Sequence, residues 1–336
     1  MGIFSGSNQC PAKPASAGVK GVPVAGSLTF QHLVSIISWA CVGISVLLWL
    51  GLIIPHLRRY RVPNEQRQIL RIVSTPVVFT IIAAISTHAY QAAEYLEPLA
   101  NWYEALALAS LFLLYVQYVT PDATTRNAFF QGLEGRDKKG MALPGGSLRW
   151  FWNTWRTVFI YVVVYTLLIV VQEVTMATGI YCSTSSKIRH AHVWLQALEL
   201  ITTIWALLAV VRFQRRLKEH MQGKRAVLKL VVFKLFVILT TLQHFVFGII
   251  KSHVTGGAKV TYDDITIGVP SLLICIEAVI FMVAYYFTFN AREYRGGKEE
   301  SAAAFSIGSA LLNALNPIEL VQGIARAFGS FGGRNA

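Results

Sequence analysis

The sequence predicts an all-α membrane protein, a bundle of seven transmembrane helices followed by short amphipathic helices. Three observations predict it. Hydrophobic residues make up 54% of the 336 and charged residues only 14%, where a soluble domain carries about 25% charge. The apolar residues gather into seven runs, each about long enough to cross roughly 30 Å of hydrocarbon. Lysine and arginine, finally, are dense in every second connection and sparse in the others.

The runs cover residues 29–54, 69–90, 102–120, 157–178, 192–211, 230–250 and 265–289. In lipid a backbone must satisfy its own hydrogen bonds, so each run is expected to be a helix. A transmembrane barrel would show segments of about ten residues with a period of two, and none is present. In the second run Pro76 removes one helical hydrogen bond and predicts a kink.

Orientation follows from the basic residues. The connections after spans 1, 3 and 5 and the tail, counted with Arg71 and Lys234 at the adjoining span ends, hold 24 Lys and Arg, and the N-terminus and remaining connections hold 6. Cytoplasmic loops carry the excess, so the N-terminus is expected to be exoplasmic and the C-terminus cytoplasmic. The net charge of +13 then requires no nucleic acid. The expected organisation is an exoplasmic tail over 1–28, a seven-helix domain over 29–290 and a cytoplasmic tail over 291–336. The first 28 residues are rich in Gly, Pro, Ser and Ala without an apolar core, unlike a cleavable signal peptide. In the tail, the "NPIE" stretch reads as Asn316 capping a helix, Pro317 in its first turn and Glu319 behind it. The basic stretch "RFQRRLKEHMQGKR" (212–225) reads as a solvated helix end, or as a surface for anionic lipid head groups. Cys41 and Cys275 fall inside spans and read as packing residues. Cys10 and Cys182 both fall on the expected exoplasmic side, where disulfides persist, and a bond between them is expected.

The spans also carry polar groups. Glu277 stands about 12 residues into the seventh span, near the midplane. Glu199 lies in the fifth span, Glu173 in the fourth, Gln243 and His244 in the sixth, His88 in the second and Glu104 early in the third. His192, Gln196, Glu199 and Thr203 follow i, i+4, i+7 and i+11, one stripe of a helix. Ionisable groups at this depth face a water-filled cavity or one another, so a polar cavity opening outward is expected. A lone intramembrane His or Gln also reads as interhelical hydrogen bonding, and for His88 and Glu104 that structural reading is preferred.

Several chemistries are excluded or disfavoured. The seventh span has no lysine for a retinal Schiff base. Apart from His32 at the mouth of the first, the spans offer only His88, His192 and His244 as histidines, a poor basis for a zinc site. No phosphate-binding Gly-rich loop, serine nucleophile elbow or haem attachment motif occurs. Neither catalysis, a cofactor nor a metal is expected.

Four stretches carry a family likeness: "VPNEQRQILRI" (62–72), "YEALALASLFLLYVQYVTPD" (103–122), "LKLVVFKLFVILTTLQHFVFG" (228–248) and "LLICIEAVIFMVAYYFTF" (272–289). Together they resemble the organic solute transporter alpha and transmembrane protein 184 family, and "ALNPIEL" in the tail resembles its fungal branch. The resemblance covers about residues 29–330. Carried over by position, the signature residues are Pro63, Asn64, Glu65, Gln66, Arg67, Arg71 and Tyr103, together with Glu104, Gln243 and Glu277. It places the first five in a short cytoplasmic turn and Tyr103 in the outer polar layer. It implies a seven-helix, N-outside solute carrier. The bile-acid branch works with a single-span partner and has a cysteine run in its third-to-fourth-span loop, which this chain lacks.

The expected function is therefore facilitative transport of an amphipathic organic solute, sterol-like, steroid-conjugate-like or lipid-like. Glu277, Glu199, Glu173, Glu104, Gln243, His244 and Gln196 are the expected lining. Expected partners are membrane lipids and the solute, and a homodimer is compatible. The host membrane is expected to be the plasma membrane or a vacuolar or endosomal membrane. The alternative is a seven-helix receptor or membrane scaffold, which the absence of an Asp-Arg-Tyr-like triplet after the third span disfavours.

Overall fold

The computed structural model describes residues 10, 17–135, 145–183, 188, 190–251, 253–294 and 306–329. Most of the expected exoplasmic tail, residues 1–9 and 11–16, lies outside them, as do 136–144 of the third-to-fourth-span connection and 295–305 and 330–336 of the C-terminal tail.

Seven helices are long and apolar enough to cross a membrane. The first is α1 (Phe30–Arg58), whose Thr29 hydroxyl accepts a hydrogen bond from the His32 amide at 3.3 Å and satisfies one free N–H of the first turn. The second is made of two pieces, α2 (Pro63–Val73) and α3 (Thr75–His88), which meet at Ser74 immediately before Thr75-Pro76. The proline thus divides the span where an N–H would otherwise be needed. α4 (Tyr90–Val119) is the third span and α6 (Gly146–Ala177) the fourth, with the short α5 (Arg126–Gly132) between them. α7 (Ala191–Arg216), α8 (Ala226–Lys251) and α9 (Val269–Thr288) complete the set, and a π-helical turn, Asp264–Gly268, leads into α9.

α4 is the central post. Of its most apolar window 72% is buried, against 17% for α7, so α4 faces protein and α7 faces outward. The outward faces carry Leu198, Ile201, Trp205 and Leu208 on α7 and Leu47, Val174 and Phe287 elsewhere, as lipid contact requires. Among themselves, Phe112, Phe130, Phe151, Trp155, Phe159 and Phe213 form an aromatic core, with Phe130 and Phe151 stacked at 3.9 Å between ring centres.

The third span differs from the sequence expectation. It begins at Tyr90, not Trp102, which adds twelve residues and two carboxylates, Glu94 and Glu97, to the bundle. Glu104 consequently lies about 21 Å from the start of its helix, at ~1.5 Å per residue, in the middle of the span and not near its mouth.

Two short helices, α10 (Ile307–Leu315) and α11 (Ile318–Gly329), follow the bundle. The Asn316 side-chain oxygen accepts from the Ile318 amide at 3.0 Å, the cap its position predicts. α11 seats on α6 through Gly323, where a Cβ would lie 2.2 Å from the Phe159 ring. The Trp155 indole N–H donates to the Gly323 carbonyl at 2.9 Å. At the opposite end Cys10 and Cys182 are joined by a disulfide, Cα to Cα 5.3 Å. The two ends are called here the disulfide end and the tail end.

Candidate functional site

At the disulfide end, acidic side chains from several helices converge. His244 Nδ1 on α8 lies 3.0 Å from Glu97 Oε1 on α4. Glu104 and Glu199 are both within electrostatic reach of His244, and Glu199 of Glu97. Thr203, one helical turn below Glu199, meets the Tyr161 hydroxyl at 3.3 Å. Tyr181, in the loop between α6 and α7, lies near the same acidic groups. Burial, then Glu199, Glu97, Glu94 and Glu173, push its phenol above the ordinary value. Lys251 is the nearby cation, joined by His244 when that ring is protonated.

Of these groups Glu94, Glu97, His244 and Lys251, but not Glu104 or Glu199, line a narrow cavity with Asn101 and Ser271, and Phe79 and Ile274 form its apolar side. It offers about 30 Å³ to water. One water needs at least ~10–15 Å³ measured this way, so two fit and a steroid does not. In this conformation the site is closed around its polar groups.

The expected lining is divided by the structure. Glu104, Glu199 and His244 come together. Glu277 and Gln243 instead bond to each other, the Gln243 amide donating to the Glu277 carboxylate, and tie α9 to α8 beside the cavity. Glu173 is half-buried near Tyr181, with one oxygen buried and unbonded among the described residues. Gln196 corrects the stripe: it is exposed, because i+4 spacing rotates a residue by about 40° and carries it off the inward face. Among the described residues no group of three or more metal-binding side chains converges.

Glu94 and Glu97 are missing from the sequence reading. Yet Glu94, Glu97, Asn101 and Glu104 follow i, i+3, i+7 and i+10, a helical stripe that identifies them once α4 is started at Tyr90.

The signature residues occupy the tail end. Pro63 opens α2 at its first position, where a missing N–H costs nothing. The residues after it form a buried helix and not the turn expected from the sequence. Glu65 accepts from Lys224 Nζ at 3.0 Å and from the Tyr294 hydroxyl at 2.9 Å. Among the described residues it forms no ion pair with Arg67 or Arg71. Gln66 accepts from the Val62 amide and donates to the carbonyls of His56 and Arg59, binding the α1–α2 connection to itself. Arg67 reaches Glu319 at 3.4 Å and the Asn64 side chain at 3.3 Å. Arg71 donates to the Asn316 carbonyl. Tyr103 corrects another expectation, since its hydroxyl donates to the Arg71 carbonyl at 3.0 Å and faces the α2–α3 joint, away from the disulfide-end layer.

A second buried cation was also missed. Lys229 is fully buried and donates to the Tyr118 hydroxyl at 2.8 Å and to Glu293 at 2.7 Å. The basic stretch after α7 is partly drawn into these contacts. Lys224 holds Glu65, and Arg216 lies 4.3 Å over the Trp150 ring.

The family model for organic solute transporter Ostalpha matches residues 34–294. LAZ1 homolog 1 of Arabidopsis thaliana is 24% identical over 283 residues, covering 76% of this chain and 57% of its own length. Vacuole membrane protein hfl11 of Schizosaccharomyces pombe is 23% identical over 264 residues, 75% of this chain and 60% of its own. LAZ1 homolog 2 of Arabidopsis is 24% identical over 299 residues, 82% and 72%. The chain spans about three fifths of the length of the first two relatives. No solved structure matches it. The span of the family match and the seven helices it covers place this multi-pass membrane protein in the organic solute transporter alpha family.

Proposed function

We propose that this chain is a facilitative carrier of an amphipathic organic solute, whose polar head is received by the acidic layer at the disulfide end. The observation that carries the reading is the convergence of Glu97, His244, Glu104 and Glu199, from three helices, with Glu97 and His244 lining a water-sized cavity. Intramembrane ionisable groups that border water mark substrate and ion paths. Carboxylates outnumber bases there, which favours a head that donates hydrogen bonds, such as a sterol-like or glycosylated hydroxyl, over a sulfate or carboxylate.

Widening the closed cavity requires a moving part, and α8 is suited to it. It packs chiefly on α9, and its tie to α4 at this end is the Glu97–His244 contact. A polar head competing for Glu97 would release that tie and let α8 move away from α4, while α9 stays packed on α1 and α3. The disulfide end then faces the exoplasm, as the 24 basic residues grouped toward the other end predict. The name of the fission-yeast relative supports a vacuolar membrane as one host.

Counterflow in liposomes tests the proposal, with two impermeant probes, a radiolabelled steroid glucoside and a steroid sulfate. Glucoside exchange above protein-free liposomes, cut about tenfold in Glu97→Gln, is the expected result. Exchange of neither probe above that background would overturn it.

A further inference from the structure

The largest cavity described is at the other end. It measures about 330 Å³, within the range of small-molecule pockets, and lies between α2, the foot of α4, α5, α6 and α11. Its wall carries Asn64, Gln68, Gln117, Arg126, Gln322 and Arg326. α11 supplies one stripe of this wall, Glu319, Gln322 and Arg326 at i, i+3 and i+7, while Leu320, Gly323 and Ala327 form its packing face.

Arg126 is the decisive group. It is only 5% exposed. Its Nε donates to the Thr120 hydroxyl at 3.4 Å, and its guanidinium carbon lies 5.8 Å from the Trp155 ring centre. Among the described residues neither Arg126 nor Arg326 is in an ion pair. Burial, and then the charge of Arg326, lower the Arg126 guanidinium from its ordinary value, with Asp122 and Glu319 opposing. An arginine nonetheless stays charged in a protein.

Two carboxylates share the wall, but both are occupied. Asp122 accepts from the Thr124 amide at 2.8 Å and from its hydroxyl at 2.5 Å. Glu319 is held by Arg67 at 3.4 Å and by the Gln68 amide. That leaves two guanidiniums lining one cavity, a planar fork each, and several side-chain amides able to donate. A buried cation without a counter-charge is costly, and a tetrahedral oxyanion meets such forks two bonds at a time.

We propose that this cavity binds a phosphate-bearing group, clasped between Arg126 and Arg326 and bordered by Gln117 and Gln322. The group belongs either to a phosphorylated lipid head or to a soluble phosphate. The site stands apart from the acidic layer and does not depend on transport there.

The test uses the full chain in phosphatidylcholine nanodiscs, which expose both faces. One arm adds phosphatidylinositol phosphate to the bilayer and reads lipid retained on the protein by native mass spectrometry. The other titrates inositol trisphosphate or inorganic phosphate and reads the melting temperature. Retention or thermal stabilisation is expected, weakened about tenfold by Arg326→Gln, the loss of one charge-assisted contact. Arg326 is exposed, so this variant folds even if Arg126→Gln does not. Gln322→Glu, which adds a negative charge to the wall, is expected to weaken binding as well. Arginine-dependent retention of the lipid assigns the head-group source, and arginine-dependent response to the soluble probes alone assigns the other. No binding in either arm, or binding equal in wild type and Arg326→Gln, overturns the proposal.

Discussion

The two ends of the bundle hold charge in opposite ways. At the tail end, outside the arginine-lined cavity, each buried acid is matched: Glu65 with Lys224 and Tyr294, Glu293 with Lys229, Glu319 with Arg67. At the disulfide end carboxylates are in excess. One oxygen each of Glu277, Glu173 and Gln243, and one nitrogen of His244, are buried without a hydrogen-bond partner among the described residues. A matched network fixes one arrangement, because any change strands a buried charge. An unmatched one can exchange a partner for a ligand or a water at little cost. The difference identifies which end holds the bundle together and which end can change.

That contrast can be broken most directly at Lys229. Lys229→Met strands Glu293 and removes the donor to Tyr118, and is expected to cost about 3–5 kcal/mol, read as a large fall in melting temperature in detergent. A Lys229→Met protein as stable as the wild type would remove the distinction between the ends. Next in size, Gly323→Val drives a side chain into the Phe159 ring and is expected to cost about 1–3 kcal/mol. Its readout is faster protease cleavage of the C-terminal helices with the bundle intact.

Changes at the disulfide end sharpen the comparison by the reverse outcome. Glu97→Gln sits in a half-exposed pair, 42% and 29% exposed on its two sides, so stability is expected to fall by less than about 1 kcal/mol. Steroid glucoside counterflow should nevertheless drop about tenfold, the factor that ~1.4 kcal/mol supplies. Loss of folding without loss of exchange in the folded fraction would contradict the assignment. The smallest effect is expected from Cys10→Ser with Cys182→Ser. The bond ties a tail to a loop outside the helices, so the melting temperature should hold while a protease gains access to the N-terminal tail.

Much of this arrangement is legible in the sequence, and the parts that are not share one cause. The seven spans follow from hydropathy because their outward faces contact lipid, and Pro76 marks the α2–α3 joint through its missing N–H. The start of α4 is hidden because "QAAEYLEPLANW" is polar for a span. It is allowed to be polar because α4 is surrounded by protein, and hydropathy reads lipid exposure, not depth. Burial of Glu104 at mid-span follows from the same point. Lys229 and Glu293 are 64 residues apart, and Glu65 and Lys224 are 159 apart. Neither pairing has a local signal. Gln196 shows the limit of a periodic stripe, since a 40° drift separates a cavity wall from a lipid face.

The seat of α11 on α6 has a consequence for how the protein is made. Trp155 leaves the ribosome long before Gly323, so its indole N–H has no Gly323 carbonyl to meet while α7, α8 and α9 are being inserted. The Phe159 surface and the arginine-lined cavity are likewise unfinished until then. Closure of the tail end thus cannot precede translation through α11. Ribosome-stalled chains ending before Ile318 are expected to remain chaperone-bound, and release on extension past Gly329 would time that step.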